Sequence, residues 1–159
     1  MTTATAHVQN ILVPCDFSGY MNEVIKFSVD LAKRYQAKLT LLHVYEMPIY
    51  AIPPDSVLMV APDVLSQQLS EMMQLLEQTK TDLEAQGVHN VVTKLAQGAA
   101  AVEILKECDE NHYDLIVMGT HGRTGIKHVL IGSVAEKIVR KAPCPVLTIR
   151  NGAAHLDEE

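Results

Sequence analysis

The residues best suited to chemistry lie between positions 118 and 138, in the segment MGTHGRTGIKHVLIGSVAEKI. Four glycines occur here together with Arg123 and Lys127, and the stretch from 119 to 132 contains no Asp or Glu. Glycine loses more conformational freedom on folding than other residues, so a cluster indicates tight turns or a close approach of backbone to a ligand. An apolar run precedes the loop and a helical pattern follows it. That order, strand, glycine-rich loop and helix N-terminus, is typical of an anion site, most often for phosphate.

From spacing alone, these glycines have two interpretations, phosphate binding or a purely structural use in turns and helix packing. The loop matches neither G-x-x-x-x-G-K-[ST] nor a Rossmann G-x-G-x-x-G placed after the first strand. Ser133 opens SVAE, an S-x-x-E capping box in which Ser133 caps the last helix and Glu136 is the third helical residue. The Ser133 hydroxyl therefore has two competing uses, as the cap of the helix and as a contact to a ligand.

Composition narrows the class of protein. The chain has 159 residues, 48% of them hydrophobic and 20% charged, which is typical of one globular domain with a substantial core. Its formal net charge of −6 argues against non-specific binding to nucleic acid or an anionic membrane. Three cysteines at spacings that match no zinc or C-x-x-C pattern, and an N-terminus without a signal-like segment, predict a reduced, cytoplasmic protein.

The elements that must position the loop follow an alternating pattern. Buried-type apolar runs occupy 11–14, 39–44 and 114–119, and two partly alternating runs at 90–95 and 145–150 are typical of edge strands. Helical periodicity separates them. The sequence thus predicts a doubly wound α/β domain with a five-stranded parallel sheet, in the order 2-1-3-4-5 or 3-2-1-4-5. Its ligand would lie beyond the carboxyl ends of the strands, where the order reverses.

Two segments depart from this pattern. Residues 47–62, with four prolines, are predicted to be an irregular excursion that either packs over the sheet edge or acts as a lid or dimer contact. Residues 151–159 are expected to be a polar tail. We expect one domain over 1–159.

The glycine segment closely resembles the nucleotide-binding signature of the universal stress protein family, G-x2-G-x9-G-[ST]. Gly119, Gly122, Gly132 and Ser133 match it without a gap, and Gly125 falls outside it. Similarity extends through ILVPCDFS, LAKRYQAKLTLLHV and KAPCPVLTIR. The resemblance implies a sheet in the order 3-2-1-4-5 and an adenine nucleotide, ATP above all, as ligand.

The resemblance also implies roles for individual residues. Asp16 would accept hydrogen bonds from the ribose hydroxyls, unless it only caps the first helix, which Ser18 could do instead. Val44 would meet the adenine edge through its backbone. The remaining residues of the implied site are Pro14 and Met118 as apolar walls, and Gly119, Gly122, Arg123, Gly132, Ser133 and Val134 around the phosphates. The same loop contains Thr120, His121, Thr124 and Lys127, for which the alternative to a ligand contact is a solvated side chain.

Catalysis receives little support from the sequence. The motif region has no carboxylate for a metal or a water, so Mg²⁺ would be held by the phosphates and water. His43 lies in an apolar strand and is expected to be a core histidine, and Cys15 is expected to be a buried, inert thiol. The leading hypothesis is a nucleotide-dependent regulator or sensor in the stress response. A slow metal-dependent ATPase or phosphotransferase, and an interaction scaffold with an empty site, are the alternatives.

The last strand, 145–150, would carry unpaired backbone groups at a sheet edge. The resemblance implies that a second copy of the chain pairs with it in a two-fold homodimer. The protein partner of such a regulator is not indicated by the sequence.

Overall fold

The structure, a computed structural model, describes residues 7–19, 21–46, 62–120 and 131–150. Strands and helices alternate along the described chain. The elements are β1 (Asn10–Pro14), α1 (Met21–Tyr35), β2 (Lys38–Tyr45), α2 (Pro62–Ala85), β3 (Val91–Gln97), α3 (Ala100–Asn111), β4 (Leu115–Gly119), α4 (Ser133–Lys141) and β5 (Val146–Ile149). Most of the excursion predicted at 47–62, and the whole predicted tail, lie outside the described residues. Pro62 is already the first residue of α2, a position that suits its fixed φ and missing N–H.

All five strands are parallel and lie in the order β3-β2-β1-β4-β5. The predicted doubly wound sheet is confirmed, and of the two orders considered the second is found. The chain winds from β1 toward β3 on one side and from β4 to β5 on the other, so β1 and β4 lie side by side. The loops that follow β1 and β4 therefore leave the same edge of the sheet in opposite directions and open a crevice between them.

The core consists of two apolar layers, one on each face of the sheet. Successive residues of β1 alternate between them: Ile11 and Val13 join the layer under α1 and α2, whereas Leu12 joins the layer under α3 and α4. All three side chains are fully buried. This explains why the central strands read as continuous apolar runs, since a strand covered on both faces needs apolar side chains at every position.

At the amino-terminal ends of the strands, opposite the crevice, polar side chains link neighbouring elements. The Asp114 carboxylate accepts hydrogen bonds from the backbone N–H groups of Gln9 and Asn10, both at 2.8 Å, and so joins the start of β4 to the start of β1. Glu107 on α3 accepts from the Lys94 ammonium at 2.5 Å and from the Tyr113 hydroxyl at 2.7 Å. These contacts fix the far edge and leave the carboxyl edge for a ligand. Among the described helices, none is long and apolar enough to cross a membrane.

Candidate functional site

A cavity of about 520 Å³ opens at the carboxyl edge of the sheet, between the ends of β1 and β4. This is within the range of about 300 to 1,000 Å³ typical of small-molecule sites. The described residues that line it are Pro14, Cys15, Asp16, Ser18, Met21, Val24, Leu42, His43, Val44, Glu46, Ala100, Ile104, Met118, Gly119, Thr120, Gly132, Ser133, Val134 and Ala135.

The structure brings eight of the ten predicted site residues together around this cavity. They are Pro14, Asp16, Val44, Met118, Gly119, Gly132, Ser133 and Val134. The other two, Gly122 and Arg123, lie outside the described residues, as do His121, Thr124 and Lys127. The fold thus brings residues from three strand ends and one helix into a single crevice.

Asp16 lies on the first lip of the crevice, two residues after β1 ends. Its Oδ1 accepts two hydrogen bonds from Ser18, from the backbone N–H at 2.9 Å and from the hydroxyl at 2.7 Å. Both bonds are local and fall on the same oxygen, as in an Asx turn. The Met21 N–H donates to the Ser18 carbonyl at 3.0 Å where α1 begins. Asp16 therefore shapes the turn before the helix through Oδ1. Its second carboxylate oxygen, Oδ2, takes no part in the two bonds to Ser18.

His43 and Phe17 contact each other next to Asp16 and support this lip. His43 is 5% exposed, and its Nδ1 lies 2.6 Å from the Cys15 carbonyl oxygen. The rings of Phe17 and His43 are tilted by 45° with their centroids 4.7 Å apart. The expectation that His43 is a buried, hydrogen-bonded histidine is confirmed. Phe17 has a φ of 55°, a left-handed conformation that costs a non-glycine residue of order 1–3 kcal/mol and persists only where its surroundings impose it.

The second lip is built from backbone at the junction of β4 and α4. Glu136 N–H donates to the Gly132 carbonyl at 2.9 Å, the first bond of the helix. The amides of Ser133, Val134 and Ala135 precede that bond and so have no acceptor within the helix. They are oriented with the positive end of the helix dipole, which favours an anion at this position.

The predicted capping box is wrong. Gly132, with a φ of −72° and a ψ of 158°, is the N-cap, no side chain caps the helix, and Ser133 is already the first helical residue. The Ser133 hydroxyl is therefore not used as the cap of α4. The Gly132 N–H, expected to meet phosphate, instead donates to the Thr120 carbonyl at 2.6 Å. The sequence suggested two uses of the Ser133 hydroxyl, as helix cap or as ligand contact, and the structure excludes the helix cap.

Thr120 also differs from expectation. It is 8% exposed, and its N–H donates to the Ile149 carbonyl at 3.0 Å. Rather than a solvated loop residue, it extends the β4–β5 pairing by one position and closes the loop through its bond with Gly132. The two ends of the glycine loop are thus joined by backbone within the described residues.

The cavity walls between the lips are apolar. Met118 and Leu42 are buried, while Pro14 and Val44 lie half-buried at their strand ends. Sequence reasoning missed Ile104 and Ala100 on α3, which line the same space, and it missed Glu46, directly after β2. A signal was available for Ala100 and Glu46, because the first turn after each strand of a parallel sheet faces the same edge. Ile104 lies one turn further along α3, where that signal does not apply.

Burial makes the three thiols poor nucleophiles, and of the three only Cys15 lines the cavity. Cys15 is 5% exposed and its Sγ donates to the Val13 carbonyl at 3.3 Å. Burial first, and then the neighbouring Asp16 charge, raise the pKa of Cys15 far above its ordinary value. Burial likewise raises the pKa of Cys108 to about 12, and it also raises the pKa of Cys144. The expectation of an inert thiol at Cys15 is confirmed by this environment.

Two carboxylates and no cationic side chain occur in the described lining of the cavity. The carboxylates belong to Asp16 and Glu46. No group of three His, Cys, Asp or Glu side chains among the described residues is placed to hold a metal ion. A ligand with an apolar ring, a polar middle and an anionic end would match the walls, the first lip and the second lip in turn.

A sequence profile described as the universal stress protein family matches residues 7–150. The chain belongs to the universal stress protein family. The universal stress protein MJ0531 of Methanocaldococcus jannaschii is 32% identical over 143 residues, which are 89% of this chain and 82% of that protein. The universal stress protein YxiE of Bacillus subtilis is 31% identical over 145 residues, 88% of this chain and 97% of that protein.

Solved structures of the universal stress protein family share the fold. UspA from Lactobacillus plantarum superposes with a TM-score of 0.78 and 29% identity, covering 92% of this chain and 100% of that one. A universal stress protein in complex with cAMP gives a TM-score of 0.69 at 20% identity, covering 92% and 99%. One from Archaeoglobus fulgidus in complex with dAMP gives 0.61 at 18% identity, covering 91% and 99%.

Proposed function

We propose that this protein binds ATP in the crevice between β1 and β4 and acts as a nucleotide-dependent regulator or sensor in the stress response. The observation that carries the proposal is that the described signature residues Gly119, Gly132 and Ser133 line one cavity, which has apolar walls and a helix N-terminus. Family membership adds that two distant structural relatives hold the adenine nucleotides cAMP and dAMP.

Each part of ATP has a suitable partner in this crevice. The adenine ring would lie against Val44 and Met118, and the ribose would meet Asp16. The triphosphate would lie over the amides of Ser133 and Val134, where the helix dipole favours negative charge. The Ser133 hydroxyl is a further donor, because the helix does not use it as a cap.

The proposal extends to three residues of the glycine loop. Gly119 would let the end of β4 approach the phosphates, Gly122 would continue the loop around them, and Arg123 would supply the positive charge that the described lining lacks. Mg²⁺, if it accompanies ATP, would be held by phosphate oxygens and water, since that ion keeps much of its hydration. Gly132 would contribute space rather than its N–H, which is bonded to Thr120.

A regulatory role is favoured over turnover by the chemistry of the lining. Phosphoryl transfer needs an oriented nucleophile and a clamp on the transferred group. The described part of the site offers backbone donors but no metal cluster. A reduced, cytoplasmic setting agrees with three free cysteines, two buried and one half-buried.

Titration calorimetry tests the proposal directly. ATP should bind one site per chain and GTP at least about tenfold more weakly, because the adenine pocket is formed by backbone and apolar side chains of fixed shape. Mass spectrometry of small molecules that co-purify with the protein would identify the ligand independently. Wild-type protein that binds no adenine nucleotide in calorimetry and carries none on purification would refute the proposal. A time course of phosphate release on the same sample should be flat.

We also propose a homodimer through β5. The two edge strands differ in how they are protected: β3 carries a charged residue, Lys94, in its middle, whereas the VLTI sequence of β5 has no charge. Charged side chains are a common defence of a sheet edge against pairing. The uncharged β5 edge therefore suits two-fold pairing with a second copy.

Light scattering of Val146→Lys tests this dimer. The wild type should show twice the chain mass and the variant a single chain mass, because a lysine would add a charge to the uncharged β5 edge. Val92→Lys on β3 is the matched control and should leave the mass unchanged. A wild-type mass of one chain, or an unchanged mass in Val146→Lys, would contradict the proposed pairing.

A further inference from the structure

His43 joins strand β2 to both chain neighbours of Asp16, to the backbone of Cys15 and to the ring of Phe17. Its Nδ1 contacts the carbonyl oxygen of Cys15 at 2.6 Å, and its ring centroid lies 4.7 Å from that of Phe17. Cys15 and Phe17 are the two chain neighbours of Asp16. One buried side chain, distant by 28 residues in sequence, therefore fixes the chain immediately before and immediately after the carboxylate.

The contact with Cys15 acts on the orientation of Asp16. The Cys15 carbonyl belongs to the planar peptide group that ends at the Asp16 Cα, so holding its oxygen fixes the direction in which the Asp16 backbone begins. A carbonyl oxygen only accepts hydrogen bonds, so Nδ1 of His43 must carry a proton. The preceding peptide group is held as well, because the Cys15 N–H donates to the Leu42 carbonyl at 2.7 Å, so both peptide groups that flank the Cys15 Cα are bonded to β2.

Phe17 supplies the second constraint. Its φ of 55° places it in the left-handed region, which turns the chain sharply after Asp16. The His43 ring packs against the Phe17 ring in a tilted arrangement that aromatic pairs favour. Together with the bonds from Ser18 to Oδ1, this turn restricts the orientation of the Asp16 carboxylate beside the cavity.

We propose that His43 is a positioning residue that orients Asp16 toward the ribose, so that the site prefers adenine nucleotides that carry a ribose hydroxyl over those that carry none. The inference rests on the proposed function, since it names how that same site chooses among adenine nucleotides. His43 acts through the Cys15 peptide and the Phe17 ring. Loss of its Nδ1 donor frees the carboxylate from its fixed direction and removes the preference for ribose.

The test compares two nearly isosteric replacements. In His43→Asn the side-chain amide nitrogen occupies the place of Nδ1 and still donates to the Cys15 carbonyl, whereas His43→Leu has the same branching and no donor. Calorimetry with ATP and with 2′,3′-dideoxy-ATP gives the ratio of the two dissociation constants for each protein. The wild type and His43→Asn should favour ATP by at least about tenfold, the loss expected when a hydrogen bond to a charged group is missing.

In His43→Leu the ratio should fall to within about threefold of one. A merely structural role would weaken both ligands together and leave the ratio unchanged, which would overturn the inference but not nucleotide binding. A wild-type ratio near one would overturn it in the same way. A wild type that binds neither ligand would overturn the proposed function and, with it, the inference.

A second measurement does not depend on the folding of the variants. Nitrogen-15 NMR of wild-type protein labelled at histidine distinguishes a protonated Nδ1 from a bare one. A protonated Nδ1 on His43 supports the inference. A bare Nδ1 would overturn it, because that nitrogen could then not donate to the Cys15 carbonyl.

Discussion

The two lips of the crevice are built by different means. On the lip after β1, side chains carry the geometry: Asp16 bonds to Ser18, and His43 reaches across from β2 to the Cys15 carbonyl. On the lip after β4, backbone carries it: Gly132 N–H bonds to Thr120, and α4 begins with unpaired amides. The first lip offers a carboxylate and the second a positive dipole, so together they suit a ligand with hydroxyls and phosphates.

This difference has a consequence for substitution. A lip made of backbone is sensitive to what fills the space beside it, and almost any added side chain interferes. A lip made of side chains is sensitive to the identity of each donor and acceptor, and it tolerates replacements that keep the bonding atoms. The largest losses of affinity are therefore expected at the backbone lip, and graded losses at the other.

Gly132→Val should abolish ATP binding, with a loss of affinity of more than about a hundredfold. Its branched side chain would stand directly before the first amides of α4, where the phosphates are proposed to lie, and it would block more than one interaction at once. Calorimetry measures the loss. Gly19→Val is the matched control, because a side chain at Gly19 meets open space and that residue does not line the cavity. Equal losses in both variants, or full affinity in Gly132→Val, would contradict the contrast between the lips.

Asp16→Asn should weaken ATP binding by about tenfold and leave stability nearly unchanged. The amide oxygen can still accept both bonds from Ser18, so the turn survives, but the charged acceptor for the ribose is lost. The affinity for 2′,3′-dideoxy-ATP should change much less than that for ATP. Asp30→Asn on the exposed face of α1 is the control, since its ion pair with Arg34, at 3.4 Å, contributes little. An equal loss for both nucleotides would argue against a ribose contact.

Sequence reasoning reached the backbone lip more easily than the side-chain lip. The spacing of Gly119, Gly122 and Gly132 is local in sequence, and hydrophobic patterning alone placed it after the fourth of five parallel strands. The strand order needed the family resemblance, because the periodicity of one strand says nothing about its neighbour. The contact between His43 and Cys15 could not be predicted, since it depends on the registration of β1 against β2 and on the left-handed turn at Phe17.

The error at Ser133 has a different origin. The S-x-x-E pattern is a real capping signal, but a glycine directly before it adopts the extended N-cap conformation equally well and starts the helix one residue earlier, at Ser133. Sequence patterns locate a helix end to within one or two residues. Here a shift of one residue decides whether the hydroxyl belongs to the helix or is available to a ligand.

Cys15→Ala should change ATP affinity by less than about twofold, which separates the backbone of this residue from its side chain. The carbonyl that His43 contacts is retained, and the thiol is a buried group that bonds only locally to Val13.

The stability of the folded chain, rather than its ATP affinity, should respond to Cys15→Ala. Burial raises the pKa of Cys15, so the folded chain keeps this proton after the unfolded chain has lost it. That stabilisation is complete below the ordinary thiol pKa, near pH 9, and declines as pH rises further, by up to about 1.4 kcal/mol per pH unit. Denaturant unfolding between pH 8 and about pH 10.5 should therefore show a shallower decline in Cys15→Ala than in the wild type. Parallel curves would mean that the thiol is not protected in the folded state, and a large loss of ATP affinity would mean that the side chain itself belongs to the first lip.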